Sequence, residues 1–208
     1  MALLVKDYEA LSRAHFNRQA AQYDARDTVY YSREGKISCR DIAAYLGDRS
    51  YEKLLDVGCG TGYLAELLAA RGVYCGLDLS EEMIRVAEEK RLPNASFTLG
   101  KSDALPWEDE TFDYVTCSQS FHHYPHQFEA MREAYRVLKK GGQYILSDTG
   151  IGGVGAWLDN HVFFKLMPSG DCFTQNRRSI EKMMARAGFT VVSSRQLSGM
   201  IYTVIGEK

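Results

Sequence analysis

The sequence predicts an α/β fold, a mostly parallel sheet covered by helices on both faces and ending in a reversed strand. Three observations carry this. From Glu52 onward, short apolar runs alternate with amphipathic helical stretches. The first run leads into a glycine loop, Gly58-Cys59-Gly60-Thr61-Gly62. The last two runs are joined by so short a link that they must pair antiparallel.

Lys53 to Val57 reads as a buried strand entering the glycine loop. Tyr63 to Ala70 follows as a helix with Leu64, Leu67 and Leu68 on one face. Val73 to Leu77 is the second strand. Ser80 then caps a helix whose first turn holds Glu81 and Glu82, acids at the positive end of the helix dipole. Ser96 to Leu99 is the third strand, after the Pro93-Asn94 break, and Phe112 to Cys117 is the fourth. Phe128, Met131, Tyr135 and Leu138 line the next helix, which is expected to stop at Lys139-Lys140-Gly141, cations in its last turn and glycine beyond. Gln143 to Ser147 is the fifth strand. Ile180, Met183, Met184 and Ala187 mark a helix closed by Gly188. Phe189 to Ser194 and Met200 to Ile205, linked by Gln196-Leu197-Ser198-Gly199, bring the sheet to seven strands.

Two segments lie outside the alternation. Residues 1–50 read as an N-terminal helical extension carrying Tyr8, Phe16, Tyr23, Tyr30 and Tyr31, and residues 51–208 as the main domain. Within that domain, residues 150–175 run from a glycine-rich stretch, Gly150 to Gly155, into the bulky Trp157 through Met167. A chain of 208 residues is about one domain, large enough to bury a core without staples. Its hydrophobic share of 45% and charged share of 25% are ordinary for a globular protein. A net charge of −2 shows no basic surplus, so no nucleic-acid partner is expected. The opening MALLV is too short for a signal-peptide core or a membrane span, and neither a membrane partner nor export is expected. Five cysteines (Cys39, Cys59, Cys75, Cys117, Cys172) form an odd set with no CxxC pair. They suit buried thiols in a reducing cytoplasm better than disulfides or a zinc site. No metal site is expected, and oligomeric state is left unconstrained.

The glycine loop carries the chemistry. Glycines at a strand-to-helix turn permit a sharp bend and let a ligand lie against bare backbone at a helix N-terminus. Asp78 ends the next strand twenty positions after Gly58 (78 − 58), where an acid can accept hydrogen bonds from both ribose hydroxyls of an adenosine. A pyrophosphate fingerprint needs GxGxxG, and its third glycine would fall at Tyr63. The spacing here is GxGxG, which excludes a dinucleotide and leaves another adenosine-containing cofactor.

These residues resemble the class I S-adenosylmethionine-dependent methyltransferases, particularly the group that includes the ubiquinone/menaquinone-biosynthesis C-methyltransferases. Leu55 through Gly62 is similar to the family's first motif and Gly76-Leu77-Asp78-Leu79-Ser80 to its ribose-binding motif. Gly100 through Trp107 resembles the loop in which an acid, here Asp103, meets the adenine amino group. Phe112-Asp113-Tyr114-Val115 through His122-His123 resembles the fourth strand and its catalytic-face loop, and Arg136 through Gly142 the turn into the fifth strand. Phe16 through Tyr23-Asp24 resembles a short segment that often precedes this domain. The resemblance covers about residues 50–208 and implies a Rossmann-like sheet.

It also implies S-adenosyl-L-methionine as cofactor and S-adenosyl-L-homocysteine as product. The expected cofactor contacts are Gly58, Cys59, Gly60, Gly62, Asp78, Leu79, Met83, Asp103, Ala104 and Cys117. Asp56 would fix the glycine loop. His123 is the candidate for touching substrate or accepting a proton, with Tyr23 closing over the cofactor as part of an N-terminal lid. Each has a plainer reading: turn glycines, a strand-end acid, a Ser102-Asp103 turn, a core methionine, polar loop histidines, an aromatic packing helix on sheet. Trp157, Phe163, Phe164 and Met167 read either as an ordinary helix face or as an apolar cover over the acceptor that excludes water. Methyl transfer needs no nucleophilic residue; positioning supplies much of the rate. The expected acceptor is a small molecule. An RNA- or protein-directed enzyme is the first alternative, against which stands Ser118-Gln119-Ser120-Phe121 where many amino-methylating enzymes carry Asn/Asp-Pro-Pro-Tyr. A non-catalytic S-adenosylmethionine-binding protein is the second.

Overall fold

In the computed structural model, residues 7–24, 30–163 and 170–208 are described. The sheet contains β1 (Lys53–Val57), β2 (Val73–Asp78), β3 (Ala95–Leu99), β4 (Phe112–Ser118), β5 (Leu138–Thr149), β6 (Thr190–Ser198) and β7 (Ile201–Glu207). Their spatial order is β3-β2-β1-β4-β5-β7-β6. Strands β1 to β5 pair in parallel, and β7 is antiparallel to both β5 and β6. The expected reversed strand is therefore β7, inserted between two strands that run the other way.

Both faces of the sheet are buried, and strand alternation shows how. Leu55, Cys75, Val115, Leu146 and Val204 face one side, against Met131 of helix α5 (Gln127–Val137) and Ile180 and Met184 of α7 (Arg177–Ala187). Their neighbours Leu54, Tyr74, Ile145 and Ile205 face the other side, against Ile42 and Leu46 of α2 (Tyr30–Leu46) and Leu64 and Leu68 of α3 (Tyr63–Leu68). Helix α4 (Glu81–Glu89) is capped by the Ser80 hydroxyl, which accepts from the Met83 N–H at 3.1 Å. Helix α6 (Gly153–Leu158) opens the segment after β5. Of the N-terminal extension, α2 is a sheet-covering helix, with Asp41 paired to Arg195 on β6. The preceding helix, α1 (Tyr8–Gln19), lies against α4 instead.

Two boundaries fall elsewhere than the sequence suggested. Helix α5 ends at Val137, because Leu138 already pairs with Phe112 in extended conformation. Lys139 therefore lies in β5, paired to Asp113 and Glu52, and not in a helical last turn. The C-terminal strands are longer than expected. The whole Gln196–Ser198 stretch continues β6, leaving Gly199 and Met200 as the turn. No helix among the described residues is long and apolar enough to cross a membrane.

Candidate active site

At the carboxyl end of β1, Gly58, Gly60 and Gly62 take φ values of 76°, 53° and 79°, a region side chains avoid. Gly58 and Gly60 serve different ends. A Cβ on Gly58 would lie 2.1 Å from Ser120 Oγ, so this glycine permits close approach of the loop after β4. A Cβ on Gly60 would meet nothing within 4 Å, because its open side faces a cavity. The loop is tied down by Gly58 and Cys59 N–H groups donating to the Leu77 carbonyl at 2.7 and 3.0 Å. Gly60 N–H donates to Asp78 Oδ2 at 2.8 Å, and Ser80 N–H to Asp78 Oδ1 at 2.9 Å. Burial pushes the Asp78 carboxyl up, and those donors oppose the push. A carboxylate offers about four acceptor positions, so this one keeps capacity for further donors.

Asp56 lies one layer below the loop. It is buried and accepts from Tyr74 Oη at 2.6 Å and Thr116 Oγ1 at 2.7 Å, which cross-links β1, β2 and β4. Burial raises its carboxyl to about 6.

The cavity is open to solvent and, its mouth included, spans about 1170 Å³ of empty space. Its floor is Gly58, Cys59, Gly60, Asp78, Leu79 and Met83, its roof includes Phe16 and Tyr23, and its far end is Ser120, His123 and Tyr124. Four expected cofactor residues stand outside this lining. Gly62 caps α3 and faces Phe97 and Ala87. Asp103 and Ala104 follow Lys101 and Ser102, which do line it. Cys117 is fully buried in the core, since strand alternation turns Ser118 toward the cavity in its place.

The roof is pinned from both ends. Asn17 Oδ1 accepts from Ser80 Oγ at 2.6 Å and from Glu82 N–H at 3.4 Å. Thr61 Oγ1 donates to Asp24 Oδ1 at 2.6 Å, Lys90 pairs with Asp24 at 2.7 Å, and Lys101 pairs with Glu9. Between these ties the Phe16 ring meets Tyr23 edge-on at 6.2 Å and His123 at 5.0 Å, bridging the two ends of the cavity. Burial lifts the Tyr23 phenol to about 12, so it is neutral and can donate a hydrogen bond. Of the expected cover, Trp157 and Phe163 are exposed and line no part of the cavity, while Phe164 and Met167 lie outside the described residues.

At the far end, His122 and His123 form a short helical turn after β4. His122 is anchored twice to Asp148, at the end of β5: its N–H donates to Oδ2 at 3.0 Å, and its Nδ1 lies 2.6 Å from Oδ1. His123 Nδ1 lies 3.4 Å from Asp171 Oδ1 and His122 Nε2 lies 3.7 Å from the same atom. Burial, then the neighbouring His122, hold the His123 imidazole below its usual range, so it is neutral near pH 7. Sequence reasoning missed Asn17, Ser120, Asp148 and Asp171. A signal existed only for Asp148, an acid closing a strand at the sheet's ligand-binding edge.

Residues 55–146 match a family model described as a methyltransferase domain. The demethylmenaquinone methyltransferase of Staphylococcus aureus is 28% identical over 209 aligned positions, spanning 88% of this chain and 87% of that protein. The YcgJ protein of Bacillus subtilis superposes with a TM-score of 0.68 at 26% identity, covering 77% of this chain and 72% of that one. A putative methyltransferase from Haloferax volcanii, in complex with the methyltransferase activator Trm112, superposes with a TM-score of 0.79. It covers 94% of this chain and 96% of that one, and at 17% identity this is a likeness of fold.

Proposed function

We propose that the chain is a class I S-adenosylmethionine-dependent methyltransferase, which its match to a methyltransferase-domain model and its likeness to a named methyltransferase support, and that it methylates a small-molecule acceptor held at the His123 end of the cavity. One observation carries the reading. Gly60 turns an uncovered left-handed backbone toward the cavity, while its N–H fixes the Asp78 carboxylate at the rim. That is a cradle for an adenosyl group, with the spare acceptor positions of Asp78 facing where ribose hydroxyls would come.

S-adenosyl-L-methionine, when bound, supplies an electrophilic methyl group for in-line displacement and leaves as S-adenosyl-L-homocysteine. The protein's part is to bind, orient and keep dry. Gly58, Cys59 and Gly60 hold the adenosyl end against backbone, Asp78 the ribose, and Leu79 and Met83 the adenine face. Asp103 and Ala104 follow on the adenine side, and Gly62 and Cys117 support the loop and strand from behind. Lys36, on the cavity wall, offers a cation for a carboxylate. Phe16 and Tyr23 close the roof, and His123 presents a neutral imidazole to the acceptor. The aromatic rings of Phe16 and Tyr124 at that end support a ring-bearing acceptor, and the relative named for demethylmenaquinone agrees with that class.

Calorimetry with S-adenosylmethionine and S-adenosylhomocysteine tests the cofactor half. The wild type should bind at micromolar concentration. Asp78→Ala should lose at least tenfold, because hydrogen bonds to a charged group are worth about 1.5–3 kcal/mol each. Failure of both ligands to bind folded wild type would overturn the reading. Isotope-labelled methyl donor offered with phenols and quinols, and separately with tRNA, tests the acceptor half; label in tRNA would replace the small-molecule assignment.

A further inference from the structure

The buried His122, His123 and Asp171 cluster is more than the adenosyl reading uses. Three donor atoms, His122 Nε2, His123 Nδ1 and a carboxylate oxygen of Asp171, lie within 4.8 Å of one another. Two of the separations are 3.4 and 3.7 Å. Ligands about 2.1 Å from a metal ion are about 3.0 Å apart along an octahedral edge and about 3.4 Å along a tetrahedral one. The 3.4 Å spacing matches a tetrahedral edge, and the 3.7 Å spacing lies about 0.3 Å above it.

The surroundings are those of a metal site. The Asp148 carboxylate takes His122 from behind, through Nδ1 and through the backbone N–H. A carboxylate on the rear nitrogen fixes the tautomer with its proton on Nδ1 and turns the Nε2 lone pair forward, the usual support of a metal-bound histidine. Asp171 is held by backbone: the N–H groups of Cys172 and Phe173 both donate to the His122 carbonyl, at 3.0 and 3.3 Å. Gln127 Nε2 then clamps the Phe121 and Phe173 carbonyls together at 3.1 and 3.0 Å. His123 Nδ1 is buried with no hydrogen-bond partner and points to the Asp171 oxygen that also faces His122. Two ring nitrogens thus face one carboxylate oxygen in a buried pocket.

We propose that His122, His123 and Asp171 bind a divalent transition-metal ion as a two-histidine, one-carboxylate set. Two imidazoles and one oxygen suit zinc, iron(II), manganese(II) or cobalt(II) better than calcium or magnesium. Of the three residues His123 is the one that lines the cavity, so the ion would sit behind the acceptor end and reach an oxygen of the acceptor on the His123 side. Metal binding itself does not depend on the methyltransferase reading, and only the oxygen-anchoring role rests on it.

The test uses the full chain, stripped with chelator, desalted and titrated with Co²⁺ by visible absorption and with Zn²⁺ by calorimetry. One ion per chain should bind at micromolar concentration or tighter, with d–d bands from cobalt. Asp171→Asn should weaken binding at least tenfold while circular dichroism and S-adenosylhomocysteine affinity stay unchanged, and His123→Ala should weaken metal binding as much. His126→Ala, an exposed histidine outside the cluster, should change nothing. Three results would overturn the site: no stoichiometric binding to folded wild type, equal binding by Asp171→Asn, or a thiolate-to-cobalt charge-transfer band, which would place the ion on cysteine. Loss of S-adenosylhomocysteine binding in the wild type would strike the adenosyl reading alone.

Discussion

The two ends of the cavity are built in opposite ways. The end proposed to hold the adenosyl group comes from one short run of chain, Gly58 to Met83, and uses backbone: left-handed glycines, N–H donors and one carboxylate at a strand tip. The end proposed to hold the acceptor comes from four distant stretches, around Phe16, Ser120 to Tyr124, Asp148 and Asp171, and uses side chains. A ligand whose adenosyl part does not vary can be met by a fixed backbone device, which local sequence can spell. A variable acceptor can be met by side chains, most of them on loops and helix, which can change without disturbing the sheet.

Alanine in place of two neighbouring glycines breaks that comparison open. At Gly58 the new methyl group would have to displace Ser120 Oγ at 2.1 Å and Tyr124 Oη at 2.8 Å, and the residue would remain at φ 76°. Ser120 and Tyr124 both donate to the Val57 carbonyl, at 3.1 and 3.0 Å, so both bonds are lost. Gly58→Ala should cost about 3 kcal/mol or more of unfolding free energy, measured by urea denaturation. Adding Ser120→Ala should restore part of it, as coupled neighbours do. Gly60→Ala has open space and pays only the strain of φ 53°, about 1 kcal/mol. It should stay folded and lose S-adenosylhomocysteine binding. Equal stability loss at both glycines would mean that the loop is a structural turn and not a cradle.

Much of this was legible because the signals are local. Strand alternation, the Ser80 cap and the Gly58–Asp78 spacing each lie within a few turns of chain, and each stands in the structure. What escaped depends on approach across the fold. Nothing in the residues around Asp171 announces that the backbone of Cys172 and Phe173 docks on the His122 carbonyl. Cys117 and Ser118 are neighbours in sequence, and only the strand's phase decides which one meets the cavity. The extent of α5 was misjudged for a similar reason. Lys139 and Lys140 look like a helix C-terminus, but the pairing of Leu138 with Phe112 and of Lys139 with Asp113 wins the segment for the sheet.

Beneath the adenosyl end, Asp56 carries an electrostatic cost of its own. Its carboxyl is raised to about 6 in the folded chain from an ordinary value of 3.8, chiefly by burial. The folded state therefore holds the proton more tightly than the unfolded state. Its contribution is fully present below about pH 4 and is lost as pH rises through about 6. At about 1.4 kcal/mol per pH unit between those two values, that loss is roughly 3 kcal/mol. Asp56→Asn cannot ionise. The stability difference between wild type and this variant should therefore move by about 2–3 kcal/mol in the variant's favour between about pH 4 and pH 7, read from urea midpoints. A difference independent of pH would show that the hydroxyls of Tyr74 and Thr116 keep Asp56 charged at no cost.

The smallest effect falls on the roof, which joins the two ends. Asn17 Oδ1 accepts from Ser80 Oγ at 2.6 Å, while that hydroxyl separately accepts from Met83 N–H and so goes on capping α4 without Asn17. Asn17→Ala removes both hydrogen bonds of this tie between α1 and α4, the one from Glu82 N–H being long at 3.4 Å, and together they are worth about 1 kcal/mol. The global midpoint should hardly move, because α1 contributes little to either core cluster. Hydrogen exchange of the α1 amides should accelerate about fivefold, with the sheet amides unchanged, since local opening draws on local contacts. Unchanged exchange in α1 would transfer the anchoring role to Asp24, held by Thr61 and Lys90 at the glycine loop and α4. The roof would then belong to the adenosyl end, and Phe16 alone would carry its contact to the acceptor end through the 5.0 Å edge against His123.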